Sequence, residues 1–310
     1  MKHLNTLALA AGVSMMALAA YAQGAPDFSK VEIKTTPLGH GVYMMEGQGG
    51  NMTVAVGQDG VIQVDGEFAP LHDKIAAAVA KVSGGKPVKY LVNTHFHGDH
   101  TGGNENFAKD GIQLVAHKNL ALRLEHGSTN GMSGAKTAAS PKGAIPTKTY
   151  TNEGVQLMVQ GQSAMVNHPA CAHTDTDSYV YFPAANVIST GDTASLGNRY
   201  PTIDYANGGC LNGIISTVET YIKMGDDQTK YVPGHGPLAT KADMQKYHDM
   251  LVSVRDAVQA EIKAGKTEDQ AVADKPLAKI GAALGTNAMA DDAMVRMSYR
   301  SLKGVKANKA

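Results

Sequence analysis

The chain has 310 residues, which exceeds an average domain but is routine for one α/β enzyme. Its 28 Lys and Arg balance 28 Asp and Glu, and 43% of residues are hydrophobic, so a basic nucleic-acid binder, an acidic tail protein and a disordered chain are all excluded. Twelve histidines beside five phenylalanines and no tryptophan make the histidines the main question. The chain opens with Met1-Lys2-His3, a mostly apolar run from Leu7 to Ala20, and a small-x-small pattern at Ala20-Tyr21-Ala22. That order predicts a secretory signal peptide over 1–22, so the remaining chain, 23–310, is expected in a bacterial periplasm. No later stretch offers ~20 uninterrupted apolar residues, so no membrane anchor is expected to remain after cleavage.

Short β-branched or apolar runs follow at Val42–Met45, Met52–Val56 and Val61–Asp65, with Gln58-Asp59-Gly60 as a hairpin turn between the last two. Leu71, Ile75, Val79 and Val82 recur at helical spacing and stop at Ser83-Gly84-Gly85. Val88–Val92 reads as a strand running directly into Asn93-Thr94-His95. A helix from Thr101, a strand over Ile112–Val115 and a helix from Lys118 to Glu125 come next. Residues 127–148, rich in Gly, Ser, Thr and Lys, are long for a connection and are expected to be mobile or to act as a lid beside a site. Strands resume at Val155–Val159, Ser163–Val166, Tyr179–Phe182 and Val187–Ser189, then a helix over Leu211–Met224 and a strand over Lys230–Val232. Thr240 to Asp243 opens a long helix whose Met244, Tyr247, Leu251, Val254, Val258 and Ile262 form one apolar stripe. Two halves, each strands first and helices after, predict two packed sheets with helices outside: an α/β, four-layer αβ/βα sandwich in one domain over 23–310, with a helical extension from about residue 265. Cys171 and Cys210 lack a CxxC partner, and a disulfide and two separate buried thiols are equally compatible with the sequence.

The chemistry concentrates in His95-Phe96-His97-Gly98-Asp99-His100, where four metal-ligand side chains fall within six residues at the end of an apolar strand. Imidazole and carboxylate suit Zn²⁺ and similar divalent ions. Extended backbone points His95 and His97 to one side, and Gly98 permits a turn that aims Asp99 and His100 at a neighbouring point. One segment thereby serves two metals ~3.5–4 Å apart.

This segment resembles the signature of the metallo-β-lactamase superfamily, whose fold is an αβ/βα sandwich with a two-metal site at one edge. Ala172-His173-Thr174, Thr190-Gly191-Asp192-Thr193 and Val232-Pro233-Gly234-His235-Gly236 are similar to the family's later ligand segments and stand in its order, over roughly residues 35 to 255. The resemblance implies that His95, His97 and His173 hold a first metal, that Asp99, His100 and His235 hold a second, and that Asp192 bridges them. It also implies two Zn²⁺ ions as cofactors, with iron or manganese as alternatives, and a small-molecule substrate. A water held between two such ions has its pKa brought towards ~7 and attacks an acyl carbonyl at neutral pH, with Asp99 orienting it and carrying its proton.

Zinc β-lactamases of the best-known branch carry a cysteine where Asp192 stands. Gly208-Gly209-Cys210 lies well downstream, so Cys210 is expected to enter a helix and not to bind metal. The carboxylate is similar to that of glyoxalase II-type thioesterases, lactonases and generic exported hydrolases. The leading expectation is a hydrolase of β-lactams or related amides and lactones. A glyoxalase II-like thioesterase is the alternative, and a di-iron oxidoreductase is the alternative of a different class. Because the segment 196–210 follows Asp192 closely, Arg199, Tyr200, Tyr205 and Asn207 are candidate substrate contacts. His168 is expected at a strand end, and His40, His72, His117, His126 and His248 outside the site.

Overall fold

The structure, a computed structural model, describes residues 27–305. The expected signal segment, 1–22, lies outside the described residues. The chain divides between Val31 and Glu32 into two compact units. What is described of the first is a single 3₁₀ turn, Phe28–Lys30, whose Ser29 amide donates to the Asp27 carboxylate.

The second unit begins with a meander of β1 (Lys34–Gly39), β2 (Val42–Glu46), β3 (Met52–Val56) and β4 (Val61–Val64), each antiparallel to the next. The Gln58–Gly60 turn closes the β3–β4 hairpin, in register from Val56 opposite Val61 to Thr53 opposite Val64. Helix α1 (His72–Ser83) then leads to β5 (Val88–Val92), parallel to β4. In place of one helix from Thr101 there are two short ones, α2 (Gly98–Thr101) and α3 (Asn104–Lys109). The break follows from tertiary bonding: Asn104, at the start of α3, exchanges two side-chain hydrogen bonds with buried Asn93. Strand β6 (Gln113–His117) and α4 (Lys118–His126) follow.

The stretch 127–148 is more structured than its composition suggests. It holds a small hairpin, β7 (Ser128–Thr129) with β8 (Lys136–Thr137), and it leads into β9 (Lys148–Tyr150), which pairs parallel to β6. The first sheet is thus ordered β1-β2-β3-β4-β5-β6-β9. The second sheet consists of β10 (Val155–Val159), β11 (Gln162–Asn167), β12 (Tyr179–Phe182), β13 (Val187–Ser195) and β14 (Lys230–His235) in that order. Its strands are antiparallel except for β13 and β14, which are parallel because α5 (Leu211–Met224) crosses between them. Strand β13 runs six residues beyond the stretch expected from sequence, to Ser195, and every residue in it is buried.

The two sheets face each other through Val42, Ala55, Ile62 and Val64 on one side and Leu157, Val166, Val180 and Phe182 on the other. On the outer face of the second sheet, Ile188, Ala194 and Tyr231 pack against α5 and α6 (Lys241–Lys263). The stripe read from sequence is the buried face of α6, from Met244 to Val258, and Thr240 with Asp243 forms the expected capping box. α7 (Glu268–Ala273), α8 (Ala278–Leu284) and α9 (Ala288–Leu302) join the same core through Ala271, Leu277, Met294 and Val295. Helices α1, α3 and α4 lie against the first sheet. The result is the αβ/βα sandwich expected. Among the described residues no helix is long and apolar enough to cross a membrane.

Candidate metal centre

The parallel strands β4, β5 and β6 all end at one edge of the first sheet, and the loops that leave them carry the polar residues. Beyond β5 the backbone places His95 and His97 in line, and the turn of α2 presents Asp99 and His100. The second sheet meets this edge with the loop before β12, which bears His173, and with β13 and β14. Their parallel register puts Gly191 beside Pro233 and Ser195 beside His235, so Asp192 and His235 arrive together. The approach is so close that a Cβ on Gly234 would lie 1.9 Å from Asp192 Oδ1; glycine is required there. The amide of Ser178 donates to Thr94 O at 2.6 Å and ties the two sheets at this point.

All seven residues named from sequence converge. His95, His97, His173 and Asp192 form one group and Asp99, His100 and His235 another, each with its donor atoms within 4.8 Å of one another. His97 Nδ1 is 3.1 Å from His95 Nε2 and 3.0 Å from His173 Nε2. Asp192 faces both groups: Oδ2 lies 3.8 Å from His95 Nε2, 3.7 Å from His173 Nε2 and 3.4 Å from His235 Nε2, and Oδ1 lies 3.3 Å from His100 Nε2. Asp99 Oδ2 is 3.2 Å from His235 Nε2.

The outer nitrogens settle which atoms carry lone pairs. His173 Nδ1 donates to Thr202 O at 2.8 Å, and His97 Nε2 donates to Asp204 Oδ2 at 3.0 Å. His100 Nδ1 donates to Asp65 Oδ2 at 2.8 Å. Thr94 Oγ1 spends its proton on Asp65 at 2.7 Å and so accepts from His95 Nδ1 at 3.1 Å. In the neutral form each of these four rings would therefore turn an unprotonated nitrogen inward, the arrangement in which an outer partner fixes the tautomer of a metal-binding histidine. Lone pairs about 3 Å apart repel unless a cation sits among them. The buried His100 Nε2 and Asp192 Oδ1 also have no hydrogen-bond partner, a costly state that coordination relieves. The donor set and its orphaned atoms fit metal ions.

Electrostatics divide the cluster. Burial, with His100 adding to it, holds His95 well below the ordinary histidine range, and burial brings His173 down to about 4. Burial opposes charge on His100 as well, but Asp192 and Asp65 outweigh it and raise that ring well above the ordinary value. Hydrogen bonds to Asp192 and Asp99 push His235 up to about 9. Burial likewise works against ionised Asp192, yet His100 and His95 hold it well below the carboxylate range. The cluster thus satisfies its carboxylates with protons where cations would otherwise stand.

Two supporting carboxylates were missed in the sequence. Asp65 ends β4 with a left-handed φ of 62°, a strained conformation for a non-glycine residue, and accepts from the Thr94 amide, the Thr94 hydroxyl and His100. The Asp65-Gly66 step at the end of a buried strand was the available signal. Asp204 carried none: it reaches His97 because the segment 204–210 is laced to 172–175 by backbone bonds from Asp204 to His173 and from Cys210 to Ala172. Cys171 and Cys210 form a disulfide that staples this same junction, so Cys210 enters α5 without being a metal ligand, and the separate-thiol reading is set aside.

Of the candidate substrate contacts, Asn207 is buried, with Nδ2 donating to Asp204 Oδ2 and to Thr129 O and with Oδ1 accepting from Arg123. Tyr205 is buried too; its hydroxyl donates to Gly131 O and accepts from Arg300. Both side chains brace the loop and the β7–β8 hairpin. Tyr200 packs toward the helical flank. Arg199 lines a cleft with Leu196 and Pro237. His168 binds Asp177 O through Nδ1 and stacks on His117, with centroids 3.6 Å apart; neither ring belongs to the two ligand groups.

The family model described as metallo-beta-lactamase superfamily matches residues 45–236. A 2,4-dinitroanisole O-demethylase subunit alpha from Nocardioides sp. is 28% identical over 59% of this chain and 52% of its own length. A hydroxyacylglutathione hydrolase from Polaromonas sp. is 28% identical over 60% of this chain and 66% of its own. The chain thus spans between half and two thirds of the curated relatives it matches. Among solved structures, a metallo-beta-lactamase from Pontibacter korlensis aligns with a TM-score of 0.57 at 18% identity, over 71% of this chain and 99% of that one. A stereoselective inverting sec-alkylsulfatase from Pseudomonas sp. aligns with a TM-score of 0.65 at 17% identity, over 88% of this chain and 50% of that one. At these identities the structural likeness speaks for the fold.

Proposed function

The chain belongs to the metallo-beta-lactamase superfamily, and from that premise we propose that it is an exported dinuclear zinc hydrolase that opens an acyl bond in a small molecule. One observation carries the reading: seven donor side chains converge in two groups, with the Asp192 carboxylate facing both. His95, His97 and His173 would hold one ion, Asp99, His100 and His235 the other, with Asp192 shared. Zinc bound there would supply Lewis acidity and a water acidic enough to ionise near neutral pH.

The chain's own residues do the remaining work. Asp204, Thr202, Thr94 and Asp65 hold the four inner histidines in the tautomer and orientation that binding needs, and none of them reaches the reacting atoms. Asp99, the most exposed of the centre's carboxylates at 29%, is the group placed to orient a water, accept its proton and return it to the departing nitrogen, oxygen or sulfur. Asp177, fully enclosed and tied to the Thr174 amide and hydroxyl, fixes the turn that delivers His173. The Cys171–Cys210 bridge supports export, since disulfides persist in oxidising compartments.

Hydrolysis of β-lactams, amides and lactones is the first reading of the substrate. Thioester hydrolysis is the second, favoured by Asp192 in place of a cysteine and by the hydroxyacylglutathione hydrolase relative. The test is to count metal in the purified protein and then offer a cephalosporin, a lactone, a glutathione thioester and an aryl methyl ether. Turnover of one acyl substrate that is lost to a chelator and regained with zinc is expected. Bound iron in place of zinc, or cleavage of the ether alone, would overturn the acyl-hydrolase assignment.

A further inference from the structure

Away from the seven ligands, a cleft of about 290 Å³ opens between the segments 196–199 and 237–239 and helices α6 and α8. None of the seven ligands lines it. Leu196, Leu238, Tyr247, Met250 and Leu284 give it apolar walls, and its volume falls just under the ~300–1,000 Å³ typical of drug-sized sites, which suits a small guest.

Its floor is fixed. The Leu196 amide donates to His235 O at 2.9 Å, and a Cβ on Gly236, at φ +101°, would fall 2.2 Å from Leu196 O, so the two segments touch as only glycine permits. Ala239 exchanges both backbone hydrogen bonds with Tyr231, each 2.9 Å, which pins the second segment to β14.

The charge at the cleft is one-sided. Arg199 lines it, and among the described residues its guanidinium has no hydrogen-bond or ion-pair partner. Lys246 also lines it and stands 3.6 Å from Asp243. Asp243 is the lining carboxylate, and its other oxygen is already held by the Thr240 amide at 3.1 Å and hydroxyl at 2.7 Å. Two cations against one engaged carboxylate leave a positive excess beside an apolar wall. Arg199 and Lys246 stand exposed at the rim, where water solvates them in the free cleft, and their excess of positive charge favours an anionic head over a cationic one. A compact aliphatic tail with an anionic head satisfies both features.

We propose that this cleft binds short-chain aliphatic carboxylates, with the alkyl tail against Leu238, Met250 and Leu284 and the carboxylate on Arg199. The site is separate from the metal centre, so it stands whether or not the hydrolytic reading does. Sodium octanoate, titrated calorimetrically into the full chain, is expected to bind saturably and equally well before and after chelation. Hexanoate should bind about fourfold more weakly for each methylene it lacks. Arg199→Ala should weaken octanoate about tenfold or more, the scale of a charge-assisted bond, and leave 1-octanol unchanged. Met250→Glu should abolish both. Because the chain has no tryptophan, Met250→Trp offers a reporter whose emission should shift to the blue on adding octanoate. Absence of saturable binding overturns the proposal, as does indifference to Arg199→Ala and Met250→Glu. Loss of octanoate binding on chelation also overturns it, because the carboxylate would then be sitting on metal.

Discussion

Among the described residues two groups of enclosed or half-enclosed histidines can be compared, and their difference explains why one of them suits a cation. His117 ends β6 and stacks on His168, with rings 5° from parallel. Burial, with His168 adding to it, brings His117 down to about 4, so the ring is neutral at physiological pH. At the metal centre His95, His100 and His173 are as enclosed as His117, and His97 and His235 less so, but Asp192 and Asp99 stand among their inner nitrogens, and Asp65 and Asp204 bind two outer ones. Burial alone yields quiet packing histidines. Interleaved carboxylates turn the same side chains into a site that demands positive charge, met by protons in one state and by metal in another.

That contrast can be broken by experiment, most severely at His97. His97→Ala removes one of three converging donors, so it should strip metal from the protein and cost at least the ~10²–10³-fold in rate that losing one charge-stabilising group costs. Metal analysis beside a hydrolysis assay checks both. Full activity with two tightly held ions would reject the ligand set. By the same contrast, His117→Ala should leave metal content and rate unchanged.

The outer carboxylates should act on different ions. Asp204→Asn weakens the grip on His97 and should lower affinity in the first group by about 10–100-fold, whereas Asp65→Asn should do so chiefly in the second through His100, with a smaller effect on the first through Thr94 and His95. Competition with a chromophoric chelator resolves the two affinities, and an identical effect of both variants on one ion would contradict the division into two groups. A smaller effect concerns acid. His117 has its folded pKa depressed to about 4 from an ordinary 6.5. Between those values the unfolded chain binds the proton and the folded chain does not, so the stabilisation is complete above about pH 6.5 and is lost as pH falls towards 4. Thermal melts of His117→Gln should show a shallower loss of stability across that window than the parent; an unchanged slope would remove the neutral-imidazole account.

Much of this was legible because it is local. The apolar runs fixed most strands to within a residue or two, the 3.6-residue stripe located α6, and Thr240 with Asp243 marked its cap. Hydrogen-bonded partners decided the rest. Strand β13 outran its apolar signal because pairing with β14 carries the backbone through Gly191 and Asp192 to Ser195. The helix expected from Thr101 broke where Asn104 meets Asn93. Tyr205 and Asn207, close to Asp192 in the chain, proved to be occupied by Gly131, Arg300, Arg123 and Asp204, which no spacing reveals.

By itself the sequence pointed to the side chains that converge: His-x-His-x-Asp-His falls within six residues at a strand end, where local chain geometry sets direction, and His173, Asp192 and His235 were implied by the resemblance of their segments to the family's. Only the tertiary structure decided that Asp65 and Asp204 hold those rings, that Cys171 reaches Cys210, and that Arg199 turns to an apolar cleft. Each of those facts joins residues far apart in the chain, and such distances close only when two sheets pack and the loops between them find their partners.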